Sequence, residues 1–93
     1  MGIFLKDPAA AIDYAIDWSA GYLGNRNIVA STWQAAPAEP GGIAIAAARR
    51  SAVGTAATLT GGIAGHVYRL TNRVTLSDTQ VDERSVTVRV EAR

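Results

Sequence analysis

From Tyr68 to Leu76 the chain alternates: Tyr68, Leu70, Asn72, Val74 and Leu76 share one parity, while Arg69, Thr71, Arg73 and Thr75 take the other. A period of two is what a strand with one buried face requires, because successive side chains point to opposite sides of a sheet. Val86, Val88 and Val90 repeat the pattern against Ser85, Thr87 and Arg89, after a polar segment, Ser77 to Glu83, that reads as the turn. A connection of that length predicts an antiparallel hairpin.

The same alternation occurs near the start, where Ile12, Tyr14, Ile16 and Trp18 oppose Asp13, Asp17 and Ser19. Asp7 and Pro8 would suit a helix start and Ile12 and Ile16 lie four apart, but β-forming Tyr, Ile and Trp in unbroken alternation favour a strand. "IVASTWQA" is a further strand candidate. There Ile28 and Trp33 fall on opposite parities, which demands either a bulge or a strand buried on both faces. "IAIAAA" alternates weakly through Ile43 and Ile45, "RRSAVG" reads as a turn or polar strand end, and "TAATLT" precedes a glycine corner at Gly61, Gly62 and Gly65. The first eleven residues read as an extended arm with an apolar patch, Ile3, Phe4 and Leu5.

About seven short strands separated by Gly, Pro and Asn turns predict an all-β fold, an immunoglobulin-like antiparallel β-sandwich over residues 12–93 with the arm over residues 1–11. Its expected core comprises Ile12, Tyr14, Ile16, Trp18, Trp33, Tyr68, Leu70, Val74, Val86, Val88 and Val90. Tyr68, opening a strand after a glycine corner, is a candidate corner tyrosine with its ring in the core and its hydroxyl bonded to nearby backbone.

Composition narrows the function. Ninety-three residues make one domain, and although 48% are apolar, many are alanine, so the core is modest and help from neighbouring subunits is plausible. The formal charge is +1 and the basic residues are scattered, which argues against a nucleic-acid footprint; Arg49 and Arg50 are the only adjacent pair. With no cysteine and a single histidine, His66, neither a disulfide framework nor a multi-histidine metal site is available. No apolar run approaches a membrane span, the start lacks a signal-peptide pattern, and Lys6 stands where myristoylation wants Ser or Thr. Asp78, Asp82 and Glu83 match no EF-hand spacing, and the glycine clusters lack the features of a phosphate loop. Asp13 and Asp17 lie two pleats apart on a water-facing side, a poor setting for paired acid and base. The residues therefore indicate no enzyme and no cofactor.

The order of segments nevertheless carries information. "FLKDP", "DYAIDWS", "ASTW", "LTGGIAG", "VYRLTNRVT" and "DERSVTVRV", collinear along nearly the whole chain, resemble the fiber-tail adaptor proteins of tailed bacteriophages and prophages. The match is weakest over Ala35 to Val53, and Thr79 stands after Asp78 where a turn glycine is expected. The resemblance implies a virion protein of the tail or neck, made in the host cytoplasm, that links the tail to fibers through contacts with other virion proteins and with copies of itself. Ile3, Phe4 and Leu5 are then candidates for docking on a neighbour or for covering their own sandwich, and Arg69 and Arg73, with Thr71 between them, for an outward row meeting an acidic partner. A head decoration or head-to-tail connector role would use the same fold. A carbohydrate-binding module would need Trp18, Trp33 or Tyr22 exposed.

Overall fold

The structure, a computed structural model, describes residues 3–19 and 23–92. Among these are seven strands and no helix: β1 (Ile3–Lys6), β2 (Ile12–Asp17), β3 (Ile28–Ala36), β4 (Ile43–Arg50), β5 (Gly54–Gly61), β6 (Val67–Leu76) and β7 (Val81–Val90). They form a four-stranded sheet in the order β1-β7-β6-β3 and a three-stranded sheet in the order β2-β5-β4. Leu59 of β5 packs with Tyr68 and Leu70 of β6 and Val86, Val88 and Val90 of β7, so the inner faces of the two sheets share one core. A second cluster, Trp18, Leu23, Ile28, Val74 and Leu76, closes the other end.

The alternations account for this directly. All five even-numbered residues from Tyr68 to Leu76 are buried, as are Val86, Val88 and Val90. On β2, Ile12, Tyr14 and Ile16 are half-buried while Asp13, Ala15 and Asp17 face water. Trp18 lies one residue past the end of β2 and is fully buried. The parity conflict in β3 is resolved by a bulge: the pairing with β6 shifts register between Ile28 and Ala30, so Ile28 is buried and Trp33 also turns inward, half-buried against the core.

Several features depart from the sequence expectation. Pairing is not antiparallel throughout, because β1 runs parallel to β7, Ile3 opposite Thr87 and Lys6 opposite Val90. Residues 3–6 of the arm are thus the outer strand of their own sheet. The strand favoured over a helix is β2, and "DPAAA" before it forms a turn: the Asp7 carboxylate accepts from the Ala9 amide at 2.8 Å and the Asp7 carbonyl from the Ala10 amide at 3.0 Å. The β6–β7 turn is shorter than Ser77 to Glu83, for β7 already begins at Val81. Thr79 makes this tightness possible by taking φ +73, the left-handed region that suits glycine. Of the two readings of "RRSAVG", the polar strand end holds for Arg49 and Arg50, which close β4; a second bulge, with Ala47 at φ +48, absorbs one residue between Ala46 and Arg49.

Three polar residues inside the fold tie distant segments together. Lys6 is only 1% exposed, and its ammonium donates to the carbonyls of Asp7 at 2.9 Å and Gly61 at 2.5 Å, joining β1 to the end of β5 in the opposite sheet. Burial pushes this ammonium below the ordinary lysine value, with partial compensation from Asp7. Asn72, fully buried, accepts from Trp18 Nε1 at 3.2 Å and Thr55 Oγ1 at 2.6 Å, and donates to Ser31 Oγ and the Thr32 carbonyl, each at 2.9 Å. Its bonds therefore cross from sheet to sheet. Tyr68 keeps its ring in the core while its hydroxyl accepts from the Ile63 amide at 3.2 Å and donates to the Glu39 carboxylate at 2.5 Å.

Candidate interaction face

The parallel register of β1 decides which of its residues face outward. Ile3 and Leu5 point away from the core and Phe4 points into it, where its ring lies 5.3 Å from Tyr14. Across the four-stranded sheet, one outward row is Leu5, Arg89 and Val67, and the next is Ile3, Thr87, Arg69 and Ala36. Two further rows follow, first Ser85, Thr71 and Gln34, then Glu83, Arg73 and Thr32. The fold thus brings Ile3, Leu5, Arg69 and Arg73 onto one face and separates Phe4 from them. Val67 joins this group through its register with Arg89, a neighbour relation that no local pattern reveals.

The corner is mixed: Ile3, Leu5 and Val67 are 72%, 46% and 52% exposed, with Thr87 and Arg89 of β7 standing between the two β1 residues and Val67. Apolar side chains gathered at one place on a small domain mark a contact surface more often than scattered ones do. Polar groups beyond the corner are largely satisfied within the sheet. Thr71 Oγ1 and Ser85 Oγ lie 2.9 Å apart, Arg73 meets Glu83 at 3.7 Å, and Arg89 meets Glu91 at 3.0 Å. Ion pairs this exposed add little stability. Arg69 differs, with no hydrogen bond or ion pair among the described residues, and it stands in the same row as Ile3.

The remaining candidates are dispersed. His66 is exposed, with Nδ1 3.0 Å from the Glu39 carboxylate that also receives the Tyr68 hydroxyl. The Tyr68 hydroxyl first, then His66, hold Glu39 below the usual carboxylate range, which makes it a poor proton donor near neutrality. Asp13 accepts from Thr58 at 2.6 Å and faces Arg49 at 3.4 Å, while Asp17 is bonded to Ser19; both are lowered by these contacts, led by the side-chain hydroxyls. In the β6–β7 hairpin, Asp78 meets Arg26, Asp82 caps the Glu83 amide and Glu83 meets Arg73; the described residues contain no cluster of three or more acidic or histidine side chains placed to hold a metal ion. Trp18 shows no ring face to solvent, since it is buried with Arg84 4.3 Å over its centroid. Trp33 is half-buried and meets Tyr14 edge-on at 6.2 Å. Tyr22 lies outside the described residues.

A two-sheet β domain with exposed aliphatic side chains and an unpaired cation on one outward face, and no gathered chemical groups among its described residues, has the features of a small protein-contact module. The family model described as podophage GP4 fiber-tail adaptor protein gp77 matches residues 6–89, and the chain belongs to that family. A search of curated proteins finds no match.

Proposed function

We propose that the protein is a non-enzymatic structural component of a tailed-phage virion, an adaptor in the tail or neck region that joins the tail to its fibers. The observation that carries this reading is the family match over residues 6–89. The outer face of the four-stranded sheet is the docking surface, with Ile3, Leu5 and Val67 as the apolar anchor and Arg69 as a cation open to an acidic partner. Partners are other virion proteins and copies of the chain itself; repetition around a symmetric assembly lets individually weak contacts act together. The protein is made in the host cytoplasm before it joins the particle.

The fold reading that accompanies this role is an immunoglobulin-like sandwich. Its support is the partition of strands: β2-β5-β4 on one side and β3-β6-β7 on the other matches the B-E-D and C-F-G grouping of that fold, with β1 moved across to pair with the last strand. The bond from the Ile63 amide to the Tyr68 hydroxyl is the arrangement of a tyrosine corner.

Deleting residues 1–8 is a poor test, because it removes β1 and the buried Lys6 together with the surface. Ile3→Glu with Leu5→Glu leaves β1 paired and changes only the outward corner. The double variant should fold with unchanged circular dichroism, and particles assembled with it should lose fibers in electron micrographs. A full complement of fibers on such particles would refute the docking surface. Tracing the chain to the capsid lattice in a whole-particle reconstruction would refute the adaptor role.

A further inference from the structure

On the side away from β3 and β4, a seam runs between the two sheets. β2 pairs with β5 alone, and β1 lies beside β7 only from Thr87 to Val90, so β2 and residues Val81 to Val86 of β7 have no strand on their outer edges among the described residues. A cleft of about 290 Å³ separates the two edges. Consecutive residues line it, Tyr14 to Asp17 on one side and Arg84 to Val86 on the other, so its walls are strand edges with their main chain, and Trp33 and Leu70 make its interior apolar. Packing is incomplete here: Ile12, Tyr14 and Ile16 point inward yet are only half-buried, and the Trp33 indole N–H is buried without an acceptor among the described residues.

We infer that the free edge of β2 receives an extended segment of another virion protein, apolar at alternate positions and basic at those between, which becomes the fourth strand of the β2-β5-β4 sheet. The virion setting rests on the adaptor reading; the rest follows from the edge. An open row of backbone donors and acceptors is a template for a strand. The immunoglobulin-like reading points to the same place, because the first strand of that fold lies beside the second, and β1 leaves the position open by pairing with β7. Inward side chains of the added strand would enter the cleft and cover Ile12, Tyr14 and Ile16. Its outward side chains would stand beside Asp13, Ala15 and Asp17, and β2 carries these two carboxylates and no cation. Arg49 reaches Asp13 at 3.4 Å from the β4 side, in an exposed pair that adds little and leaves the edge side of the carboxylate open. Arg84 bounds the cleft at its far end, over the Trp18 ring and donating to the Asp17 carbonyl at 3.4 Å. A second copy is a poor occupant: antiparallel pairing of β2 with itself about Ala15 would set Asp13 against Asp17, which like-charge repulsion opposes.

The probes are three labelled octapeptides titrated into the full chain: one alternating lysine and valine, one of the same residues in scrambled order, and one alternating glutamate and valine. The first should bind at least about tenfold more tightly than the other two. Hydrogen exchange should then slow at those amides of β2 that face away from β5. Asp13→Lys with Ala15→Lys, both at exposed positions, should weaken the lysine peptide about tenfold and strengthen the glutamate one, an exchange of preference that a loss of stability does not produce. Equal binding of all three peptides, protection confined to other strands, or no binding at the highest soluble concentration overturns the inference. Protection of the β2 edge by self-association of the chain alone also overturns it, since a second copy would then be the occupant. The adaptor role is read separately, by the position of the chain in intact particles, so either conclusion can fail without the other.

Discussion

Replacing Asn72 by leucine tests whether a polar residue can hold this small core together. Leucine keeps the branched outline of the side chain, with bulkier methyl groups, and removes four hydrogen bonds, from Trp18 and Thr55 and to Ser31 and Thr32. The Trp18 indole retains Thr55 Oγ1 at 3.1 Å, but the hydroxyl hydrogen of Thr55, a residue only 3% exposed, is left without an acceptor. An orphaned buried group costs about 1–3 kcal/mol, and the other bonds contribute about 0.5–1.5 kcal/mol each. The added apolar burial returns ~1–2 kcal/mol. The net loss is then about 2–4 kcal/mol, a large part of the roughly 5–15 kcal/mol available to a domain. At about 4–8 °C per kcal/mol for a chain of this size, Tm should fall by at least ~8 °C. Urea and thermal unfolding followed by circular dichroism measure both quantities, with Thr71→Ala, which loses one part-buried bond, as the control. Stability equal to or above that of the unaltered protein would refute the reasoning, because it would mean that the bonds across the sheets add nothing to burial.

Two further predictions concern backbone and charge. Thr79→Gly should stabilise the fold by ~0.5–1 kcal/mol, since the left-handed conformation costs a β-branched residue about 1–2 kcal/mol and glycine's added chain entropy offsets part of the gain; an unchanged or lowered unfolding midpoint would count against it. The lowered pKa of Glu39 means the folded state holds its proton less firmly than the unfolded chain. Its contribution is therefore complete above the ordinary glutamate value and is lost as pH falls through the lowered one, and Asp13 and Asp17 act in the same direction. Glu39→Gln should flatten the acid limb of a stability-against-pH curve, and an acid limb identical to that of the unaltered protein would disprove the role given to the Tyr68 and His66 contacts.

Alternation made most of the strands legible because it reports which side of a strand is buried, and a β-strand's period of two leaves little ambiguity over eight or ten residues. The sequence alone determined the β6–β7 hairpin, the inward set from Tyr68 to Val90, the need for β3 to bulge or be buried on both faces, and the family through collinear segments. It also marked Thr79 as an odd turn residue, and the left-handed φ there gives the reason.

Beyond the β6–β7 hairpin, only the tertiary structure decided which strands are neighbours. The hydrogen bonds that join β1 to β7 belong to backbone groups that every residue carries, so the parallel docking of β1 left no trace in side-chain pattern, and neither did the meeting of Ile3, Leu5 and Val67 at one corner. The burial of Lys6 and Asn72 was hidden for a related reason: a polar residue on an inward parity is stable only if partners distant in sequence reach it. Asn72 finds them on β3, on β5 and just past β2; Lys6 finds one at the end of β5. Periodicity describes amphipathy along one strand, whereas the satisfaction of a buried polar group depends on groups brought together from several.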